Sequence, residues 1–108
     1  MKKINELVTW LRENRFRPND AGYTYRDKLV QYQVCIDARY VRIGASIQFN
    51  NKEYIGRYIY SREQLEAIIT DTEEAMLLAM KSAFLDAMGD LAKDYMEHSL
   101  LSKSEGGR

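Results

Sequence analysis

The chain has 108 residues, 45% hydrophobic and 30% charged, with 16 acidic and 16 basic groups that cancel. That length supports one domain with a single core and no covalent staples. A lone cysteine excludes an internal disulfide, nothing resembles a signal peptide, and no apolar run approaches the roughly 20 residues that span a bilayer; a cytoplasmic protein without a membrane partner is expected.

The charge is unevenly placed. Residues 1–62 carry 12 positive and 6 negative groups, and residues 63–108 carry 4 positive and 10 negative, so the halves are +6 and −6. This pattern fits a basic face for nucleic acid, an acidic helix that imitates one, or two layers of one domain that attract each other.

Ile4, Leu7, Val8 and Leu11 recur at three- and four-residue steps with Trp10 beside them, which predicts an amphipathic helix from Ile4 to about Arg15. Arg12, Arg15 and Arg17 then run into Pro18-Asn19-Asp20-Ala21-Gly22, where proline ends a helix and Asn, Asp and Gly favour turns. A basic connecting loop is expected there. Tyr23 to Lys28 reads either as an extension of the following strand or as irregular chain.

Val30 to Tyr60 reads as a three-stranded antiparallel meander. In Val30–Ile36 the even positions are apolar, and from Val41 to Phe49 the odd ones are, which is the period-2 alternation of half-buried strands. The third strand, Lys52 to Tyr60, has apolar residues in both parities. Asn50-Asn51 resolves it, because Asn tolerates the positive φ of a two-residue hairpin turn. That turn sets Phe49 opposite Lys52, and the same-face pairs follow: Ile47 with Tyr54, Ala45 with Gly56, Ile43 with Tyr58, Val41 with Tyr60. The tyrosines then face the core. In the preceding hairpin, a loop at Ala38-Arg39 or from Asp37 to Tyr40 pairs Ile36 with Val41 and Val34 with Ile43.

The outer face then holds Gln31, Gln33, Cys35, Arg42, Ser46, Gln48, Ile55, Arg57 and Ile59. Two isoleucines between two arginines are unusual on a bare solvated surface. Arginine and apolar side chains are enriched at interfaces, so Arg42, Ile55, Arg57, Ile59 and Gln33 are the expected partner-binding residues.

Ser61 is a good N-cap, with Gln64 placed to complete a capping box and Tyr60 and Leu65 placed for a hydrophobic staple. A helix therefore starts at Ser61. Thr70-Asp71-Thr72-Glu73-Glu74 offers a second start, which predicts a break and a long last helix from about Glu73 to Leu100. Its apolar face, with Leu77, Leu78, Met80, Phe84, Leu85, Met88, Met96 and Leu100, is wider than one packing partner needs, so a homodimer through this helix is expected. Residues 1–101 form the expected domain, and the polar, Gly-rich 102–108 an expected disordered tail.

Chemistry-bearing patterns are sparse. Asp86, Asp90, Asp94 and His98 recur every four residues, but the ladder drifts around the helix and no second ligand cluster closes a metal shell, so no metal is expected. His98, in the last helical turn, suits the helix dipole. Cys35 lies on a strand with no neighbouring histidine, which argues against a nucleophile. Without a phosphate-binding glycine loop, a nucleophile elbow or zinc-finger spacing, neither catalysis nor a cofactor is expected.

The order helix, three antiparallel strands, helix is similar to that of double-stranded-RNA-binding domains. With an extra terminal helix it also resembles small phage-encoded inhibitors of CRISPR nucleases. Where the RNA-binding family places a lysine cluster, this chain has Ser61-Arg62-Glu63-Gln64-Leu65-Glu66, which repels phosphate on balance. The expectation is an α+β domain with an N-terminal helix, a three-stranded meander and two C-terminal helices. Its expected role is that of a non-enzymatic protein-interaction module, an accessory or inhibitory factor of a phage or mobile element acting on a bacterial protein. The alternative is a nucleic-acid-binding protein that uses Arg12, Arg15 and Arg17 in the basic half.

Overall fold

A computed structural model describes the backbone of residues 2–106 and the side chains of residues 3–97. The elements are α1 (Lys2–Glu13), β1 (Arg17–Asn19), β2 (Gly22–Asp27), β3 (Val30–Ile36), β4 (Tyr40–Phe49), β5 (Lys52–Ser61), α2 (Arg62–Ala67) and α3 (Thr72–Gly106). The class is α+β as expected, but the sheet has five antiparallel strands in the order β1-β2-β3-β4-β5, not three.

β1 lies in the stretch expected to be a basic connecting loop, and β2 takes in Tyr23 to Asp27, which reads either as an extension of the following strand or as irregular chain and forms a strand of its own. Asn19 pairs with Gly22 across a two-residue turn, and Asp27 pairs with Val30 across Lys28-Leu29. Lys28 takes a positive φ of 53°, a conformation usually left to Gly or Asn. Pro18 is tolerated because β1 is an edge strand of three residues, where a missing N–H breaks no central ladder. With five strands, the element order departs from the helix, three-strand, helix arrangement of the RNA-binding domains.

From β3 onward the register is the one derived from residue types. Phe49 pairs with Lys52, Ile47 with Tyr54, Ile43 with Tyr58 and Val41 with Tyr60. Ile36 pairs with Val41 and Val34 with Ile43, and the Asp37 N–H donates to the Tyr40 carbonyl across Ala38-Arg39. Asn50 and Asn51 both have positive φ, 52° and 63°, as the turn requires.

Helices cover one face of the sheet. α3 crosses β4 and β5 on small residues: Ala79, Ala83 and Ala87, spaced by four, are fully buried, as is Ala45 on β4. At Gly56 on β5 a Cβ would stand 1.9 Å from the Ala83 carbonyl oxygen, so only glycine admits the helix at this distance. α1 contributes Ile4, Leu7, Trp10 and Leu11 to the same core, and α2 contributes Leu65. Each large apolar side chain fully buried here stabilises the fold by about 1.5–3 kcal/mol. An aromatic run, Trp10–Phe16–Tyr25–Tyr32, with ring centroids 6.0, 5.4 and 6.4 Å apart, ties α1 and the following loop to β2 and β3.

The expected helix signals hold. The Ser61 hydroxyl accepts from the Gln64 N–H while the Gln64 side chain accepts from the Ser61 N–H. α2 stops at Ala67, and Asp71 restarts the chain as α3 by accepting from the Glu74 N–H at 3.1 Å. The backbone of residues 102–106, expected to be disordered, continues α3; residues 107 and 108 lie outside the described residues.

Candidate functional site: the open face of the sheet

Pairing across an antiparallel sheet puts partners on the same face, so the register alone builds the uncovered surface in rows. One row runs Arg17, Thr24, Gln33, Gly44, Arg57 across all five strands. The next runs Arg26, Gln31, Ser46, Ile55, and a third holds Cys35, Arg42 and Ile59. At about 4.8 Å per strand, Arg17 and Arg57 lie roughly 19 Å apart.

The small residues of β4 give this surface its shape. Gly44 and Ser46 are low, while Gln31, Gln33 and Cys35 on β3 and Ile55 and Arg57 on β5 rise on either side. The result is a shallow groove of about 320 Å³ with Arg42 and Glu53 also in its lining. Four of the five expected partner-binding residues, Gln33, Arg42, Ile55 and Arg57, line this one depression. Ile59 pairs directly with Arg42 and extends the same face, 51% exposed beside Ile55 at 42%.

The polar wall is pre-oriented. Asn19 Nδ2 donates to Gln33 Oε1 at 3.1 Å and Gln33 Nε2 returns a bond to Asn19 Oδ1 at 3.2 Å. Gln31 Nε2 donates to Thr24 Oγ1, which donates to the Tyr32 carbonyl. Arg42 pairs with Asp37 at 3.0 Å, but both are about half exposed, so the pair contributes little and can exchange for a partner's carboxylate. Arg17, Arg26 and Arg57 have no ion-pair partner among the described residues.

A second concavity adjoins the first at Gln31. Arg12, Arg15, Arg17 and Arg26 surround it with Phe16 and Tyr25, and Asp27 is its only carboxylate. The structure thus gathers the three arginines named from sequence and adds Arg26. The alternation Tyr23-Thr24-Tyr25-Arg26 carried that signal, since it sets Arg26 on the open face.

Both sheet edges are guarded. β1 is short and carries Pro18, and at β5 the Arg57 N–H donates to Asp86 Oδ2 at 3.3 Å. Near the start of β5, Asp94 accepts from Lys52 and from the Tyr54 hydroxyl at 2.9 Å. The Lys52 bond, then the Tyr54 bond, holds the Asp94 carboxyl below its ordinary range, and the same Asp94 contact raises the Lys52 ammonium. Asp86 and Asp94 of the acidic ladder thus have structural partners on β5; the His98 side chain lies outside the described residues. Lys52–Asp94 is the only ion pair joining the basic and acidic halves among the described residues. The arginines of the open face sit across the sheet from α3, so the charge asymmetry marks two opposed surfaces.

Among the described residues no cluster of His, Cys, Asp or Glu has the geometry to hold a metal ion, and no helix is long and apolar enough to cross a membrane. Comparison with protein-family models, curated proteins and solved structures finds no match to this chain.

Proposed function

We propose that the chain is a non-enzymatic protein-interaction module that docks an acidic protein surface against its open sheet face. The observation that carries this reading is the groove along β4. Ile55 and Arg57 form one wall, Arg42 lines the same groove, and the exposed Ile59, paired with Arg42, extends the apolar surface beyond it. An apolar centre among arginines that can form bidentate bonds to carboxylates is the composition of a binding hot spot. Guarded edges favour docking by face over strand addition. An accessory or inhibitory role toward a bacterial protein is the form this reading takes.

A second reading has its own support. Four arginines around one concavity with a single carboxylate match a nucleic-acid backbone. Capture on the immobilised protein from a bacterial lysate, with and without nuclease, separates the two. Recovery of a discrete protein that resists nuclease supports the first reading; recovery abolished by nuclease supports the second.

A further inference from the structure

The two depressions of the open face form one track. Gln31 lines both, and its sheet row runs from Arg26 through Gln31 and Ser46 to Ile55. Arg17, in the adjacent row, stands diagonally from Arg26 at about 7–8 Å between backbones. Arg12 in the last turn of α1 and Arg15 just after it complete the basic end, a concavity of about 840 Å³. Asp27 is the only carboxylate in its lining, and none of the four arginines has an ion-pair partner among the described residues. The exposed apolar side chains Ile55 and Ile59 lie at the other end of the track. Glu53, the one carboxylate of the groove, lies a row beyond Ile55, opposite Gln48 and off the line to Arg26.

We propose that this track binds one extended acidic peptide segment of a partner protein, with an apolar side chain on Ile55 and Ile59 and carboxylates on Arg17 and Arg26, backed by Arg12 and Arg15. The inference rests on the docking reading and extends its footprint from the β4 groove across β3 and β2 to the sheet edge. Charge selects an anionic partner, since guanidinium forks pair with carboxylate and phosphate alike. Two further observations select a peptide over a nucleic-acid strand. A single strand is held by bases stacked on free aromatic faces, but here Phe16 is buried and Tyr25 packs between Phe16 and Tyr32, at centroid distances of 5.4 and 6.4 Å. At the junction of the two depressions the Thr24 hydroxyl donates to the Tyr32 carbonyl, so it accepts from Gln31 Nε2 and leaves Gln31 Oε1 as an acceptor. A peptide backbone supplies N–H groups to such an acceptor, and a phosphodiester backbone has none. From Ile55 to Arg26 the row crosses three strand spacings, about 14 Å, which an extended chain covers in about four residues. The acidic run therefore follows the apolar anchor at that separation.

Fluorescence anisotropy with three labelled probes tests this. The first is a peptide of two leucines, three serines and four glutamates, the second the same peptide with glutamines in place of glutamates, and the third a thymidine oligonucleotide of equal charge. Wild type is expected to bind the acidic peptide at least tenfold more tightly than either of the others. Arg17→Glu with Arg26→Glu, two exposed positions, and separately Arg42→Glu with Ile59→Asp, are each expected to weaken the acidic peptide at least tenfold with an unchanged far-UV spectrum. The glutamine peptide keeps the test independent of any variant's folding. Loss in the Arg42 and Ile59 variant with full affinity in the Arg17 and Arg26 variant overturns the extended footprint and leaves the groove reading standing. Full affinity in both variants, or no binding of the acidic peptide to wild type, overturns the proposal together with the reading it rests on. An oligonucleotide that binds more tightly than the acidic peptide and loses affinity in the Arg17 and Arg26 variant overturns the proposal and gives the concavity to nucleic acid.

Discussion

The carbonyl oxygen of Ala83 occupies the space that a Cβ on Gly56 would need, 1.9 Å from that position, with the Ala87 nitrogen 2.6 Å away. Both neighbours are backbone atoms of α3, so no rotamer change relieves the clash. Gly56→Ala is therefore expected to destabilise the fold by about 3 kcal/mol, at the upper end of overpacking costs. Gly89→Ala meets no atom and is expected to stabilise the helix by up to about 1 kcal/mol in the monomer. Urea denaturation of both variants at low protein concentration measures the contrast. A mild Gly56→Ala would show that α3 is not seated on β5 at this distance.

Tyr60 is 9% exposed, its hydroxyl donates to the Ala75 carbonyl at 3.1 Å, and the Tyr58 ring packs edge-on against it at 4.9 Å. Tyr60→Ala is expected to cost about 3–5 kcal/mol. Tyr58→Ala, at a half-buried position, is expected to cost less, and Arg57→Ala, on the other face, under about 0.5 kcal/mol. Denaturation midpoints in that order check the parity of β5; similar midpoints for Tyr58→Ala and Arg57→Ala would contradict it.

The Lys52–Asp94–Tyr54 contact makes stability depend on pH at both extremes. Asp94 is held below its ordinary value of 3.8, so its contribution is present above that value and is lost as pH falls through the depressed folded value. Lys52 is raised above 10.5, so its contribution is present below that value and is lost as pH rises through the raised folded value. Lys52→Met is expected to flatten the acid limb of the stability profile in low salt and to make little difference in high salt, because the contact is exposed to solvent. Denaturation midpoints of wild type and variant from pH 2 to 6 check the sign; parallel curves would show that the contact carries no stability.

How legible this architecture was depends on where a residue's environment is set locally. The β3–β4–β5 register followed from strict alternation in β3 and β4 and from two asparagines that take positive φ, so a short stretch fixed many long-range pairs. The Ser61 capping box was equally local. β1 was missed, and Tyr23 to Lys28 reads either as strand or as irregular chain, because their cues conflict. Arg17-Pro18-Asn19 is wholly exposed and shows no burial pattern, and Lys28 sits at a turn position that its side chain does not advertise. The seating of α3 on Gly56 was invisible because the glycine belongs to a strand and its partner carbonyl lies 27 residues away, at Ala83. The outer-face residues were readable once the parity was known. That Gly44 and Ser46 turn their surface into a groove depends on comparing three strands side by side.

The basic concavity provides a direct contrast between partner classes. If it binds nucleic acid, Arg15→Glu with Arg26→Glu should abolish retention of a single-stranded oligonucleotide at low salt, and wild-type affinity should fall steeply as salt rises. Fluorescence anisotropy over a salt series measures this. Equal, weak, salt-independent signals from wild type and variant would remove nucleic acid from consideration at these arginines.

The open sheet face is tested most directly by Arg42→Glu combined with Ile59→Asp, two exposed positions paired across β4 and β5. The double variant should fold normally, with the far-UV spectrum and denaturation midpoint of wild type. Binding of the nuclease-resistant protein recovered on wild type, measured by isothermal calorimetry, should weaken by at least 100-fold, with Ile59→Ala alone costing as much as Arg42→Ala alone. Full affinity in the folded double variant would contradict the account, because the β4 groove would then take no part in binding.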